Sequence, residues 1–461
     1  MSGQRPKTQL ALAFPSEDPG EAPRTVGEGT EPHTANRASQ HPVPDIPLME
    51  QICERENLIQ AWDRVHANGG AAGVDGLTIE ETGERLRTRW PTIRDQLRRG
   101  TYPPQPVRRV EIPKPDGGVR LLGIPTVRDR LIQQAILQVL NPQWDPTFSE
   151  SSFGFRPNRS AHQAVAQAQA FIIEGYDWVV DIDLEKFFDR VNHDILMSRV
   201  ARRVSDKRVL KLTRAYLSAG VMEDGLVSPS DEGTPQGGPL SPLLSNLLLD
   251  DLDKELERRG HRFCRYADDC NIYVRTQRAG ERVMESVTRF LTGHLRLKVN
   301  ASKSAVGRPK DRKFLGFRFT WGRSGKRSIA PKALSRFKER IRELTNRHGG
   351  ASLDVVAKHL ARYLNGWGGY YGFCQTPSEL EELDGWIRRR LRALLWQQWR
   401  TWKNRTRRLC RFGVPRCRAA EAAAASRGPW AMATHPVVHE ALNRKFFADL
   451  GVPQLRKMMR T

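Results

Sequence analysis

The sequence has few cysteines, few acidic residues for its number of basic ones, and no long apolar run. None of its six cysteines forms a C-x2-C pair, which argues against a zinc ribbon and favours free thiols in a reducing compartment. No uncharged apolar stretch approaches the roughly 18 residues of a membrane-spanning helix. The early apolar run 10–14 is shorter than the roughly 7 to 15 residues of a signal-peptide core. A cytoplasmic location without membrane contact is therefore expected.

The shortage of acidic residues leaves the chain strongly basic. Lys and Arg number 75 against 52 Asp and Glu, a formal net charge of +23 over 461 residues. Such a surplus predicts a polyanionic partner. Hydrophobic residues make up 39% and charged residues 28%, a globular balance that excludes a collagen, a wholly disordered chain and a membrane bundle. The length allows about two to four domains.

Composition and periodicity divide the chain into five segments. Residues 1–49 are rich in proline and polar residues and lack an apolar period, so we expect a disordered arm. Helical spacing dominates 50–106, and β-type runs alternate with helical ones in 107–325. Residues 326–395 read as mostly helical, and 396–461 as a strongly basic terminal region. The pattern predicts an α+β fold.

Two acidic sites could carry chemistry. Asp183 follows a β-branched run that predicts a strand, and Asp268-Asp269 lie between two short β runs that predict a hairpin. Three carboxylates brought together there would need cations to neutralise them. Two Mg²⁺ ions about 3.5 to 4 Å apart could activate an attacking hydroxyl and stabilise a departing pyrophosphate. Taken alone, Asp-Asp is a common turn sequence, and Asp181 competes with Asp183.

Three stretches resemble the reverse transcriptases. Residues 266–269, Tyr-Ala-Asp-Asp, resemble their hairpin signature, and 183–189 (DLEKFFD) resemble their first catalytic motif. Residues 233–242 (GTPQGGPLSP) are similar to the nucleotide-cradling loop of the group II intron branch. The resemblance is specific and runs from about Gly69 to Trp430. It includes the stretches 72–76, 153–157, 313–317 and 366–371.

The resemblance implies the site. Its metal ligands fall on Asp183, Asp268 and Asp269, which are also the catalytic residues, with two Mg²⁺ ions as cofactors. Phe188 then falls at the ribose-sensing position, where a ring would clash with a 2′-hydroxyl, and this favours Asp183 over Asp181 as the ligand. Gln236 falls at a nucleotide contact. The alternatives are core packing for Phe188 and a plain turn for Gln236.

Further basic residues could bind nucleotide or nucleic acid. Lys114 and Arg120 flank the Asp-Gly turn of the predicted first hairpin and could reach a triphosphate, or could be solvated surface charges. Lys303 resembles a later polymerase motif with a basic residue near the triphosphate. No acid lies between Trp386 and Arg418, which favours RNA phosphates as the partner of this stretch. The nucleic-acid-binding candidates there are Arg388, Arg389, Arg392, Arg400, Lys403, Arg407 and Arg408. The Trp residues at 396, 399 and 402 are typical of core packing.

The resemblance implies an RNA-directed DNA polymerase and intron maturase with a right-hand polymerase fold. Its segments would be the arm 1–49, an N-terminal extension 50–106, fingers and palm 107–325, a helical thumb or maturase domain 326–395, and a basic C-terminal module 396–461. Its partners would be group II intron RNA, RNA template and DNA primer, dNTPs, and target DNA.

The stretch after Arg418 lacks paired cysteines and is similar to the bacterial class without a C-terminal endonuclease; Cys410 and Cys417 are isolated. Two alternatives stay open. One is a reverse transcriptase domesticated for defence or repair, and the other is an RNA-binding splicing factor with a vestigial polymerase site.

Overall fold

The structure is a computed structural model that describes residues 46–113, 118–223, 226–228, 232–234, 237–322, 324–347 and 349–460. Most of the predicted arm lies outside these residues, but its last two belong to a helix that begins at Leu48. Within the described part of the chain, no helix combines the length and the apolarity that crossing a bilayer requires.

Helices and strands are both present, as the α+β prediction requires. The helices are α1 (Leu48–Ile52), α2 (Arg55–Asn68), α3 (Ile79–Arg99), α4 (Val127–Trp144), α5 (Ala161–Ile173), α6 (His193–Ala201), α7 (Lys207–Ser218), α8 (Ser241–Arg258), α9 (Gln277–His294), α10 (Pro331–Leu344), α11 (Leu353–Tyr371), α12 (Pro377–Gln398), α13 (Trp402–Arg411), α14 (Arg416–Ala424), α15 (Pro429–Met432), α16 (Pro436–Ala441) and α17 (Arg444–Asp449). The strands are β1 (Val107–Pro113), β2 (Val119–Ile124), β3 (Trp178–Ile182), β4 (Val221–Glu223), β5 (Leu226–Ser228), β6 (Arg262–Tyr266), β7 (Asp269–Val274), β8 (Ala305–Gly307), β9 (Phe317–Phe319) and β10 (Arg327–Ile329).

The first sheet is built on the predicted hairpin. It has the strand order β2-β1-β4-β5. Strand β1 is antiparallel to β2, with Arg109 opposite Gly123, and parallel to β4, with Val107 opposite Val221. The Asp-Gly turn that suggested the hairpin lies outside the described residues, but the pairing of its flanking strands confirms the hairpin itself.

The second four-stranded sheet has the order β6-β7-β3-β8, and β9 pairs with β10 separately. Strand β3 is apolar and largely buried, with Val180 and Ile182 at 0% and 1% exposure. It ends one residue before Asp183, so the carboxylate follows a strand that is fixed by its burial.

The chain forms two compact units. The first contains the described residues of 46–160, 182–270 and 283–305, and the second those of 161–181, 271–282 and 306–460. In the described chain from Pro331 onward there are helices but no strand. The α+β class with a helical C-terminal region is thereby confirmed.

Helix α8 is central to the first unit. Its leucines at 243, 247 and 248 are buried, as the apolar stripe in the sequence predicts. The Ser241-Pro242 pair is typical of an N-cap followed by the first helical residue, but the helix begins at Ser241 itself, and its N-cap is Leu240 without a side-chain cap. Pro242 does lie in the first turn, where its missing N–H costs no hydrogen bond.

Candidate active site

Asp183 is fixed through its backbone. Its N–H donates to Ser304 Oγ at 3.0 Å, and its carbonyl accepts the Asn300 N–H at 2.8 Å. The next residue, Leu184, forms an isolated antiparallel bridge with Val299. The single segment 299–304 therefore holds the backbone that follows β3, while the Asp183 side chain stays 30% exposed and can meet a ligand.

The second acidic site is the tip of the β6–β7 hairpin. Ala267 has φ 57°, a left-handed conformation that costs roughly 1–2 kcal/mol for an L-residue with a Cβ. Gly154 lies directly against this tip, because a Cβ at Gly154 would come within 2.3 Å of the Ala267 nitrogen. Only glycine allows this approach. The segment that contains Phe153-Gly154 thus supports the strained turn before Asp268.

The electrostatics of Asp268 connect the two acidic sites. Burial raises the pKa of the Asp268 carboxyl above its usual value, a backbone hydrogen bond opposes this, and the negative charge of Asp183 adds to the rise. The positive charge of Arg120 on β2 acts in the opposite direction. Two carboxyls far apart in the sequence, and one arginine from the first hairpin, therefore lie within electrostatic range of one another.

Asp181 and Asp183 have different surroundings. A carboxylate oxygen of Asp181 lies 3.7 Å from Arg312 Nη1, whereas Asp183 Oδ1 lies 3.7 Å from the mostly exposed Lys303 Nζ. The charge of Asp183, not that of Asp181, is among the main influences on Asp268. Lys303, which the sequence connects only with a triphosphate, thus lies next to a candidate metal ligand.

A divalent cation fits the donor chemistry of Asp183 and Asp268. Hard carboxylate oxygens suit Mg²⁺, and a cation would relieve the repulsion that raises the pKa of Asp268. Within the described residues, however, no three His, Cys, Asp or Glu side chains are grouped closely enough to hold a metal ion. Asp269 is exposed and does not belong to such a group in the described chain. The set of three metal ligands stays a prediction.

Phe188 borders a cavity. The structure contains a cavity of about 290 Å³ whose walls include Arg109, Lys186 and Phe188. Phe188 is half-buried and meets the buried Phe187 edge to face, with ring centroids 5.1 Å apart. The Phe188 carbonyl accepts the Thr234 N–H at 2.6 Å. Phe187 packs in the core, while Phe188 keeps a face toward open space.

Sequence reasoning missed several residues around this cavity. Arg109 and Lys186 line it. The buried His193 ring contacts the Gly233 carbonyl at 2.6 Å, which fixes the position of Gly233 on the cavity wall. Lys186 lies inside the quoted motif, so its charge was a visible signal. Gln236 and Lys114 lie outside the described residues, and their roles stay predictions.

The basic C-terminal stretch divides into exposed and packed residues. Arg400, Lys403, Arg407 and Arg408 are exposed, and in the described chain none of them forms an ion pair with a carboxylate. We call these four residues the basic face. Its charges are available to a polyanion.

The other candidates in this stretch are more enclosed. Arg392 is 4% exposed, donates to the Leu442 carbonyl at 2.9 Å, and has its pKa lowered by burial to about 10. Its assignment to a nucleic-acid surface is wrong, because the guanidinium holds α12 to a later segment. Arg388 is half-buried, and Arg389 stacks on Trp430, 4.1 Å from the ring centroid.

The tryptophan stripe is mostly core, as predicted. Trp396 and Trp399 are 0% and 5% exposed. Trp402 is 55% exposed and departs from that prediction, because it begins α13 at the edge of the basic face.

Two family models match the chain. The family model described as reverse transcriptase (RNA-dependent DNA polymerase) matches residues 112–319. The model of the group II intron maturase-specific domain matches residues 334–413.

Curated relatives match over different shares of their length. Protein YkfC of Escherichia coli is 35% identical over 318 residues, which is 60% of this chain and 84% of the relative. The group II intron-encoded protein LtrA of Lactococcus lactis is 36% identical over 195 residues, which is 42% of this chain and 32% of LtrA. A chain of a solved Cas6-RT-Cas1–Cas2 complex is 27% identical and covers 54% of this chain and 43% of its own, with a TM-score of 0.35.

Proposed function

The chain belongs to the group II intron-type reverse transcriptases, an RNA-directed DNA polymerase region followed by a maturase region, and from that premise we propose that Asp183 and Asp268 form its polymerase site. Asp269 is the proposed third carboxylate. These residues would hold two Mg²⁺ ions. When bound, such ions lower the pKa of the attacking hydroxyl and stabilise charge on the departing pyrophosphate.

One observation carries the proposal. Burial raises the pKa of Asp268, and the charge of Asp183 adds to that rise although the two acids belong to separate motifs. Like charges at one site are costly unless a cation or a substrate compensates them. A structural role would favour an arginine or lysine partner for both acids. Among the residues that the structure describes, Asp183 has one within 4 Å, the mostly exposed Lys303, and Asp268 has none.

Residues of the chain itself would bind and orient the nucleotide. Arg120 carries a positive charge within range of Asp268, and it is exposed, so it could pair with triphosphate oxygens. Phe188, on the wall of the cavity, is the proposed ribose-sensing residue. Lys114 and Gln236 complete the proposed nucleotide contacts on the strength of the sequence alone.

The basic face is the proposed RNA-binding surface of the maturase region. Arg388 and Arg389 stay candidates at its margin, since they are half-buried. Binding of intron RNA there would neutralise phosphates and release counterions. RNA template with DNA primer, dNTPs and target DNA are the other proposed partners, and the bacterial cytoplasm is the proposed location. The five segments expected from the sequence, and membership of the class without an endonuclease, stay proposals.

Primer extension tests the proposed polymerase. A DNA primer annealed to an RNA template is supplied with dNTPs and Mg²⁺, and the wild-type chain is compared with Asp268→Asn and Asp269→Asn. We expect cDNA only from the wild type, with RNA binding by all three proteins. Undiminished extension by Asp268→Asn would reject the assignment.

The same assay separates the alternatives. A splicing factor with a vestigial site would bind intron RNA and extend no primer. A domesticated enzyme would extend the primer, but the DNA beside its gene would lack intron RNA domains.

A further inference from the structure

Arg265 is a fully buried arginine at the base of the acidic hairpin tip. Its Nε and Nη2 donate to the two carboxylate oxygens of Asp253 at 2.7 and 2.6 Å, and both side chains are 0% exposed. Its Nη1 donates to Asn246 Oδ1 at 3.0 Å, and Nη2 donates to Ser152 Oγ at 2.7 Å. The remaining N–H on Nη1 donates to the Ala267 carbonyl at 2.9 Å. A guanidinium has five N–H donors, and all five are used.

The backbone of Arg265 is fixed as well. Its N–H donates to the Ser151 carbonyl, and its carbonyl accepts the Phe153 N–H, both at 2.9 Å. Asn246, which accepts from the guanidinium, also donates to the Gly154 carbonyl at 2.8 Å. The segment 151–154 and helix α8 are therefore joined to the hairpin through one side chain.

Stability alone does not explain a buried ion pair of this kind. Removing two charges from water is costly, and well-packed apolar residues of similar volume are often as stabilising. What an apolar pair could not supply is a hydrogen bond to the Ala267 carbonyl. That carbonyl belongs to the residue immediately before Asp268, and it is the residue with the left-handed φ of 57°.

We propose that Arg265, oriented by Asp253, is a positioning residue that holds the Ala267 carbonyl and so fixes the Asp268 carboxyl relative to Asp183. The inference rests on the polymerase function proposed above. Arg265 touches neither substrate nor metal. It acts through the turn, by holding a strained conformation that the tip would otherwise relax.

An apolar replacement of the whole pair separates positioning from folding. The variant Arg265→Met with Asp253→Leu removes both charges together, so no unpaired charge stays buried. A matched control is Arg203→Met with Asp250→Leu, since Arg203 pairs with Asp250 of the same helix at 2.8 Å with side chains 19% and 3% exposed. The other hydrogen bonds of that pair are with Thr147 and Lys254 rather than with the hairpin tip. The charge of Asp250 does act on Arg265 and Asp253, so the control keeps the hydrogen bonds of the tip while changing its electrostatics.

Three quantities are measured for each protein: the thermal midpoint, the Kd for primer–template, and kcat and KM for dNTP in primer extension. For the Arg265–Asp253 replacement we expect a folded protein with a lowered midpoint, because Asn246 Oδ1 and the Ala267 carbonyl lose their donor. We expect a near-native Kd, a KM within about twofold, and a kcat lower by roughly a hundredfold, as for misplaced reacting groups. The control replacement should leave kcat within about twofold. A kcat at the wild-type value in the first variant would overturn the inference.

A second variant covers the case in which the apolar pair fails to fold. Arg265→Lys keeps a charge beside Asp253 but cannot reproduce the fork that reaches Ala267 as well. We expect it to fold and to lose kcat by roughly tenfold, with KM for dNTP unchanged. Wild-type kcat in a folded Arg265→Lys would also reject the inference. Failure of the wild type to extend any primer would instead reject the proposed function, and the inference with it.

Discussion

Two groups of basic residues in this protein have opposite surroundings. At the hairpin tip, Arg265 is fully buried, and every N–H of its guanidinium has a partner within the protein. The four residues of the basic face, by contrast, are exposed and form no ion pair in the described chain. The difference shows that the basic residues behind the net charge of +23 have two different roles. Some arginines neutralise internal carboxylates, and others are left for an external polyanion.

The same substitution at the two places should give the clearest contrast. Arg265→Met leaves Asp253 buried and unpaired, which costs about 3–5 kcal/mol of unfolding free energy. Arg407→Met removes an exposed charge and should change that free energy by less than about 0.5 kcal/mol. Urea denaturation measures both. Equal losses in the two variants would contradict the contrast.

Removing the basic face should affect RNA binding without affecting the polymerase site. We expect Arg400→Ala, Lys403→Ala, Arg407→Ala and Arg408→Ala together to make the salt dependence of RNA binding shallower by roughly 0.7–0.9 per lost phosphate contact in the log–log slope.

Filter binding between 50 and 300 mM salt gives the slope. The matched control is Arg258→Ala with Arg289→Ala, because both arginines are exposed but pair with Glu255 and Glu285 on their own helices. An unchanged slope in the quadruple variant would show that the basic face does not contact RNA phosphates.

Sequence patterns predicted the strands of this protein better than the surroundings of its arginines. The paired strands around the first hairpin and the apolar β3 were readable, because alternation and β-branched runs follow directly from burial. The burial of Arg392 could not be predicted from the sequence, since a run of arginines without acids gives no sign that one of them donates to a backbone carbonyl. The partners of Arg265 could not be predicted either, because Asp253 and Ser152 become its neighbours only in the folded chain.

The support beneath the hairpin tip should tolerate no added methyl group. Gly154→Ala would bring a Cβ to 2.3 Å from the Ala267 nitrogen, so we expect a loss of about 1–3 kcal/mol of unfolding free energy together with lower primer extension. Gly293→Ala is the control, because a Cβ at Gly293 in α9 meets nothing within 4 Å and should stabilise the helix slightly. Thermal unfolding compares the two, and a neutral Gly154→Ala would show that the contact is loose.

The smallest expected effect is a gain in stability. The pKa of Asp268 is raised in the folded state, so the folded protein holds this proton more tightly, and stability from the group is lost as pH rises through the folded pKa. Asp268→Asn removes that loss and should stabilise the chain at pH 7 without divalent cations, by on the order of 1 kcal/mol or less.

The gain from Asp268→Asn should disappear as the pH falls below the ordinary aspartate pKa of about 3.9, because Asp268 is then protonated in both the folded and the unfolded state. Asp189→Asn, an exposed carboxyl of the neighbouring motif, is the control and should change the thermal midpoint little. A destabilised Asp268→Asn at pH 7 would mean that a favourable contact stabilises the Asp268 carboxylate, rather than burial and the charge of Asp183 opposing it.

In the proposed polymerase site, Asp183 lies with Asp268, and its neighbour Asp181 does not take part. The most direct measurement compares the rate of primer extension on an RNA template by Asp183→Asn and by Asp181→Asn, with equal RNA binding verified for both. We expect Asp183→Asn to lose extension by roughly a hundredfold or more, as when a group that stabilises developing charge is removed, while Asp181→Asn keeps most of it. Extension retained by Asp183→Asn and lost by Asp181→Asn would contradict this assignment.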